Sequence, residues 1–257
     1  MSEMFYADII QNKPIAEDTF DLRIQAPAQA MTTAPGQFLS VFTGNPAMLL
    51  PRPLSICEID ADNNTFRIIY RIAGDGTKEI ANTRAGGKLR VLGPLGNGFY
   101  IDTKYNNYAI VGGGIGAPPL LELAKRIRKE IPNSKIAVYL GFRSKSQLIL
   151  EDDFKKYADE VMICTDNGTY GIKGNAIAAM PPNADFDMVY GCGPKVMLKF
   201  LAQYAEQRNM PCFVSMEEHM ACSIGACLAC VVKVHPRDLR RVCCDGPVFN
   251  AKEVVWE

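Results

Sequence analysis

Residues 108–121 read Tyr-Ala-Ile-Val-Gly-Gly-Gly-Ile-Gly-Ala-Pro-Pro-Leu-Leu, an apolar run, then four glycines within five positions, then two prolines. The apolar run predicts a buried strand, and prolines are tolerated in the first turn of a helix. Glycines between a strand and a helix let the backbone approach a pyrophosphate, whose charge lies at the positive end of the helix. The alternative is a tight turn that binds nothing. The stretch predicts a nucleotide-binding α/β unit, with the nucleotide at Gly112, Gly113, Gly114 and Gly116.

The hydrophobic pattern differs on the two sides of this stretch. Residues 1–101 contain short alternating strands separated by Gly, Pro, Asn and Asp turns, which predicts a small antiparallel barrel. Residues 102–211 alternate strand and helix, which predicts a Rossmann-like parallel sheet. Residues 212–257 hold too little apolar sequence for a core of their own, so a bound metal cluster is expected to stabilise them. The predicted fold class is therefore α/β plus all-β, in three domains with these limits.

Four cysteines near the C-terminus have the spacing Cys-x4-Cys-x2-Cys-x12-Cys: Cys222, Cys227, Cys230 and Cys243. Plant-type ferredoxins hold a [2Fe–2S] cluster with this spacing. With nine cysteines in the chain, an accidental Cys-x4-Cys-x2-Cys is expected about 0.01 times. A structural zinc also accepts four thiolates, but its usual signature is two Cys-x2-4-Cys knuckles. The spacing thus favours an iron–sulfur cluster, although geometry alone leaves Cys243 and the adjacent Cys244 as alternative fourth ligands.

The composition argues against several classes of partner. Lysine plus arginine and aspartate plus glutamate both number 28, so no electrostatic field favours nucleic acid or an anionic membrane. The first ten residues, MSEMFYADII, lack a basic segment followed by an apolar one. An odd number of cysteines without such a signal argues for reduced thiols. The sequence therefore predicts a cytoplasmic protein that does not bind membranes.

A second group of polar residues lies within the predicted barrel. The guanidinium of Arg52 can neutralise a phosphate, and the hydroxyl of Ser55 can form a hydrogen bond with a polar ring atom. Tyr70 can stack on an aromatic plane, while Gly76 and Thr77 begin a short helix whose N–H groups suit a second phosphate. Each piece alone also fits an ordinary turn or strand. The residues predicted to bind a flavin nucleotide are Arg52, Pro53, Leu54, Ser55, Ile69, Tyr70, Arg71, Gly76 and Thr77.

Two further loops follow predicted strands of the α/β domain, where ligands lie in open parallel sheets. One contains Asp166, and the other is Cys192-Gly193-Pro194. Both are predicted to border the nicotinamide, although Cys192 fits equally well as a small buried residue. The strand that follows the glycine loop ends at Arg143-Ser144, whose guanidinium and hydroxyl can bind a 2′-phosphate. The pocket residues alone therefore favour NADP slightly.

The chain resembles a known superfamily. Arg-Pro-x-Ser in a barrel, Gly-Gly-Gly-x-Gly in an α/β domain and a late Cys-Gly-Pro are similar to ferredoxin reductases, in which the barrel holds FAD and the second domain a nicotinamide nucleotide. More narrowly, residues 215–222 (SMEEHMAC) and 242–249 (VCCDGPVF), with the cluster spacing, resemble the electron transfer subunits of NAD-dependent dihydroorotate dehydrogenase B. The resemblance implies FAD, a [2Fe–2S] cluster and NAD, rather than NADP, as cofactors.

The same resemblance implies that Cys243 is the fourth ligand and Cys244 a bystander, at a position where the family usually has lysine. His219 stands where the family commonly has arginine, and Ser223 and Ala229 stand where it has glycine. We expect these differences to affect the tuning of the cluster and not its presence.

The electron count orders the cofactors. Nicotinamide exchanges two electrons as a hydride, whereas a [2Fe–2S] cluster passes electrons singly, and a flavin converts between the two. The order NAD, FAD, cluster follows without reference to the family. The three modules leave no residues for a second organic substrate, so we assign no acid–base catalyst to His219 or His235 and expect a partner with its own redox centre.

The resemblance also implies the nature of that partner. In the family it is an FMN-containing catalytic subunit that oxidises dihydroorotate to orotate for pyrimidine biosynthesis, in a heterotetramer with two copies of each subunit. One alternative is an NAD(P)H oxidoreductase subunit that exchanges electrons with ferredoxin or a sulfur-reducing partner, which would lack the stretch from Glu217 to Met220. Another is a zinc-stabilised module that senses nucleotides.

Overall fold

In a computed structural model that describes residues 3–236 and 238–256, the N-terminal part of the chain forms one antiparallel sheet. The elements are β1 (Glu3–Ala16), β2 (Thr19–Gln25), β3 (Phe38–Phe42), β4 (Arg52–Ser55), β5 (Glu58–Asp60), β6 (Thr65–Arg71), α1 (Asp75–Ala81) and β7 (Lys88–Leu95). The strand order is β4-β3-β7-β1-β2-β6-β5. Alternating residues such as Phe66 and Ile68 on β6 are fully buried, which explains the alternation seen in the sequence.

The middle of the chain alternates strand and helix. The elements are β8 (Asn107–Gly113), α2 (Pro118–Glu130), β9 (Lys135–Phe142), α3 (Glu151–Phe154), β10 (Glu160–Thr165), β11 (Ile172–Lys173), β12 (Met188–Cys192), α4 (Lys195–Glu206) and β13 (Cys212–Ser215). Strand β8 is buried on both faces, as expected for the central strand of a parallel sheet. None of the helices in the described residues is long and apolar enough to cross a bilayer.

The C-terminal segment adds a hairpin and one strand. The hairpin strands are β14 (Val231–Val234) and β15 (Asp238–Arg241), and β16 (Val248–Asn250) returns to the larger sheet. The complete order is β11-β10-β9-β8-β12-β13-β16, with only β16 antiparallel. The predicted fold class is confirmed. The domain limits stay a prediction, and because β13 pairs with β12 we propose a limit after Ser215 rather than before Cys212.

Polar contacts join the barrel to the α/β domain at β5. The N–H of Ile59 donates to Glu122 of α2 (2.9 Å), and Lys125 Nζ donates to the carbonyl of Ile59 (2.6 Å). Burial raises the pKa of Glu122, while the Ile59 N–H and the nearby cations oppose that rise. Arg67 of β6 lies 3.3 Å from Asp153 of α3. The two parts are therefore held in one arrangement, with the barrel facing the glycine loop.

Candidate functional site

A cavity of about 740 Å³ lies where the three parts of the chain meet. The barrel contributes β4, the end of β6 and the first turn of α1. The α/β domain contributes the glycine loop and the end of β12, and the C-terminal segment contributes residues 215–220. A flavin in this cavity would lie beside the glycine loop, the loop after β12 and the segment that leads to Cys222. The predicted residues that line it are Arg52, Pro53, Leu54, Ser55, Ile69, Tyr70, Arg71, Thr77, Gly116, Cys192 and Gly193.

Arg52 and the first turn of α1 form a cradle. A Cβ atom added to Gly76 would lie 1.9 Å from Nε of Arg52, so the guanidinium occupies the space that glycine leaves. The hydroxyl of Thr77 accepts the N–H of Ala73 (2.9 Å) and fixes the turn before the helix. A guanidinium beside the N–H groups of a first helical turn suits a phosphate. These residues fit the pyrophosphate of FAD.

Tyr70 borders the cavity, but its ring points into the barrel. The side chain is 1% exposed, its ring stacks on Phe20 with centroids 5.8 Å apart, and its hydroxyl donates to Oδ1 of Asn12 (3.1 Å). Burial raises the pKa of Tyr70 to about 12. Tyr70 shares the inward face of β6 with Phe66 and Ile68. The predicted stacking of this ring on a flavin does not agree with its orientation.

Two walls of the cavity were not predicted from the sequence. Residues 47–51 form a loop before β4, and Leu49 and Leu50 are exposed there. Residues 215–220, which include Glu217 and His219, also line the cavity. An apolar loop next to Arg-Pro-x-Ser was an available signal for the first wall. The second depends on contacts distant in sequence.

The glycine loop has two kinds of glycine. An added Cβ at Gly116 would lie 2.4 Å from the carbonyl oxygen of Cys192, and one at Gly113 would lie 2.8 Å from a methionine sulfur of α4. The space beside Gly112 is similarly occupied by a leucine side chain of β9. Gly114 has a φ of +53° and no atom within 4 Å of an added Cβ. Gly112, Gly113 and Gly116 thus permit close packing, whereas a side chain at Gly114 would extend into open space, where a nucleotide phosphate could approach the backbone.

The carboxyl ends of β8, β9, β10 and β12 lie along one edge of the sheet, as the sequence predicted for a ligand site. The loop after β10 contacts the loop after β9, because Asp166 donates its N–H to the carbonyl of Phe142 (3.0 Å) and Asn167 donates to that of Arg143 (3.3 Å). The Asp166 side chain is exposed and lies outside the 740 Å³ cavity. Its contact with a nucleotide stays a prediction.

The loop after β12 connects the large cavity with a smaller one. Cys192 is half-buried at the wall of the large cavity, and burial raises the pKa of its thiol to about 12, so it is neutral at pH 7. Gly193 and Pro194 line a neighbouring cavity of about 270 Å³ together with Glu217 and His219. Gly193, Glu217 and His219 line both cavities, so the loop after β12 lies between the two. The contact of this loop with a nicotinamide stays a prediction.

Two of the four predicted cluster ligands contact each other directly, because Cys227 donates its N–H to Sγ of Cys222 (3.4 Å). The other two, Cys230 and Cys243, are both buried, and burial together with the Cys230 thiol raises the pKa of Cys243. Burial opposes ionisation of Cys222, but N–H groups of Ile224 and Cys227 donate to its sulfur and lower its pKa to about 6. No described group of three or more His, Cys, Asp or Glu side chains surrounds a single metal position. The preference for a [2Fe–2S] cluster over zinc therefore rests on the spacing of the cysteines in the sequence.

Ser223 supports the fit of a cluster at this loop. It has a φ of +61°, a region that costs a non-glycine residue about 1–2 kcal/mol. Its buried hydroxyl has no hydrogen-bond partner among the described residues, and Ser223 lines a cavity of about 360 Å³ with Cys243. An orphan donor beside Cys222 fits a site whose acceptor is a cluster sulfur.

Comparisons with known proteins agree with this geometry. The family model described as the iron–sulfur cluster binding domain of dihydroorotate dehydrogenase B matches residues 217–255. The electron transfer subunit of dihydroorotate dehydrogenase B (NAD(+)) from Fusobacterium nucleatum subsp. nucleatum is 42% identical over 256 residues, 96% of each chain. That of Clostridium perfringens is 38% identical over 98% of each chain. The chain belongs to this family.

The resemblance seen in the motifs is thus confirmed, and so are the predicted cofactors of this electron transfer subunit family: an iron–sulfur cluster, FAD and NAD. A structure of an NADH-dependent reduced ferredoxin-NADP oxidoreductase has a TM-score of 0.87 and 33% identity, covering 97% of this chain and 90% of that one. A cytochrome P450 reductase from Amycolatopsis, at 18% identity and a TM-score of 0.67, covers 81% of this chain and 67% of its own and shares the fold.

Proposed function

We propose that the chain carries electrons from an FMN-containing catalytic subunit, which oxidises dihydroorotate to orotate, to NAD by way of a [2Fe–2S] cluster and FAD. The observation that carries the proposal is the 740 Å³ cavity, because one space is bordered by the barrel cradle, the glycine loop, the loop after β12 and the segment that leads to Cys222. The names of the relatives supply the substrate.

Residue roles follow from the walls of the cavity. Arg52 and the N–H groups of Gly76 and Thr77 would hold the FAD pyrophosphate, and Ser55 would bond the flavin ring. When bound, the flavin supplies the conversion between hydride and single-electron transfer. Gly114 would admit the pyrophosphate of NAD. The remaining predicted contacts are backbone or wall contacts at Pro53, Leu54, Ile69, Tyr70, Arg71, Gly112, Gly113, Gly116, Asp166, Cys192, Gly193 and Pro194.

The surface around the cysteines supports docking of a partner there. Ile224, Leu228 and Leu239 are 58%, 62% and 58% exposed, and Cys227 is also exposed. Large apolar side chains grouped on a surface mark interaction sites. Docking on this apolar patch would bring the partner's redox centre close to the cluster. The proposed assembly contains two copies of each subunit.

The nine cysteines all lie in the described part of the chain and none of them forms a disulfide, which suits a reducing compartment, and we place the complex in the cytoplasm on that ground. A second candidate function is electron exchange with ferredoxin, because a ferredoxin-NADP oxidoreductase is 33% identical over 97% of this chain. The presence of Glu217 to Met220 within the matched family model favours the dihydroorotate function.

The test is dihydroorotate-dependent NAD reduction by the complex that co-purifies with this chain. Activity that needs both subunits supports the proposal, whereas an NADH-reducible complex that ignores dihydroorotate and reduces ferredoxin supports the second candidate. Cys227→Ser should preserve NADH-dependent flavin reduction and stop transfer to the partner. Cys164→Ala, a buried thiol on β10, is the matched control and should preserve both. Loss of both reactions in the Cys227 variant would make the cysteines structural.

A further inference from the structure

Cys244 places a fifth thiol beside the proposed cluster ligands. Its Sγ lies 3.6 Å from Sγ of Cys243, within hydrogen-bonding distance for sulfur. The same sulfur reaches the loop that carries the other ligands, because a Cβ added to Gly225 would lie 2.6 Å from it. Cys244 therefore lies between the fourth ligand and the middle of the loop from Cys222 to Cys230.

The backbone of Cys244 is anchored on both sides. Its N–H donates to the carbonyl of Arg241 (3.2 Å), and its carbonyl accepts Nδ2 of Asn97 from the barrel (2.9 Å). Arg241 in turn donates through Nη1 to the carbonyl of Gly225 (3.3 Å). These contacts fix the backbone that carries the thiol and connect it to the ligand loop, and the residue is half-buried rather than free on the surface.

We propose that the Cys244 thiol donates a hydrogen bond to the ligand sulfur of Cys243 and thereby raises the reduction potential of the cluster. A cysteine that ligates iron is a thiolate without a proton, so Cys244 is the donor of the pair. A hydrogen bond to a ligand sulfur stabilises the reduced cluster, which carries more negative charge. Cys244 is a positioning residue for electron transfer, and the inference rests on the proposed ligand role of Cys243.

The test compares Cys244→Ala with Cys244→Ser in the cluster-loaded complex, with Cys164→Ala as the control for loss of a thiol. Iron content and the electron paramagnetic resonance spectrum of the reduced cluster report its integrity, and a redox titration of that signal reports its potential. We expect all three variants to keep the wild-type iron content. Cys244→Ala should lower the potential, Cys244→Ser should restore part of the shift through its O–H donor, and Cys164→Ala should leave it unchanged.

Three results would overturn the inference in different ways. An unchanged potential in Cys244→Ala would show that the thiol donates nothing to the cluster. Loss of iron in that variant would show that Cys244, rather than Cys243, ligates iron. A wild-type complex without iron would refute the proposed function itself, and this last result is seen before any variant is made.

Discussion

Replacing Gly76 by alanine tests the cradle proposed for the FAD pyrophosphate. The new Cβ would lie 1.9 Å from Nε of Arg52, and a Cβ atom essentially never approaches a non-bonded heavy atom within 3.0 Å, so the guanidinium must retreat by about 1.1 Å. Such a shift breaks a charge-assisted hydrogen bond to phosphate, worth about 1.5–3 kcal/mol. FAD binding is expected to weaken about 10- to 140-fold.

The assay is titration of the FAD-free protein with FAD, followed by flavin fluorescence. Gly74→Ala is the matched control, because Gly74 lies two residues away, has an extended φ and has no atom within 4 Å of an added Cβ. Thermal unfolding of the FAD-free protein separates binding from folding, since alanine is the better helix former and should not lower stability. An FAD dissociation constant equal to that of Gly74→Ala would refute the assignment of Arg52 to the phosphate.

Three further predictions concern packing, docking and pH. Gly116→Ala should lower the free energy of unfolding by about 1–3 kcal/mol, because its Cβ would meet backbone atoms that cannot move aside. A free energy from urea denaturation that lies within about 0.5 kcal/mol of the wild-type value would contradict this. Leu228→Glu should weaken binding of the catalytic subunit about tenfold or more, measured by calorimetry, and an unchanged affinity would place the interface elsewhere. Hydrogen bonds from Arg241 lower the pKa of Asp245 from 3.8 to about 2, so this carboxylate stabilises the fold above pH 3.8 and loses that effect as the pH falls to about 2. The stability difference between wild type and Asp245→Asn should shrink over that range in acid-unfolding curves, and a constant difference would show that the pairing is without effect.

Features that depend on residues close together in the sequence were predictable. The strand, glycine loop and helix of residues 108–130 follow from local composition. The cysteine spacing predicts an iron–sulfur site before any fold is known, while its exact ligand set stays a prediction. The alternation along β6 predicts a strand, but it does not say which face meets the cavity. The ring of Tyr70 accordingly points into the barrel, against the prediction.

Features that depend on distant contacts were not predictable. Residues 47–51 and 215–220 line one cavity although more than 160 positions separate them. Strand β16 enters the parallel sheet beside β13 after the whole cysteine loop, and no local pattern signals that return. The close approach of Gly116 to Cys192 likewise could not be predicted, because it arises only from the pairing of β8 with β12.

The contacts at Ile59 also bear on how the chain behaves before it meets its partner. Strand β5 is the last strand of its sheet, and the free backbone groups of such a strand are a template for pairing with another chain. Glu122 and Lys125 take both the N–H and the carbonyl of Ile59, so this position cannot extend the sheet intermolecularly. The side chains that join the two nucleotide-binding parts thus also protect the unassembled subunit from aggregation along that edge.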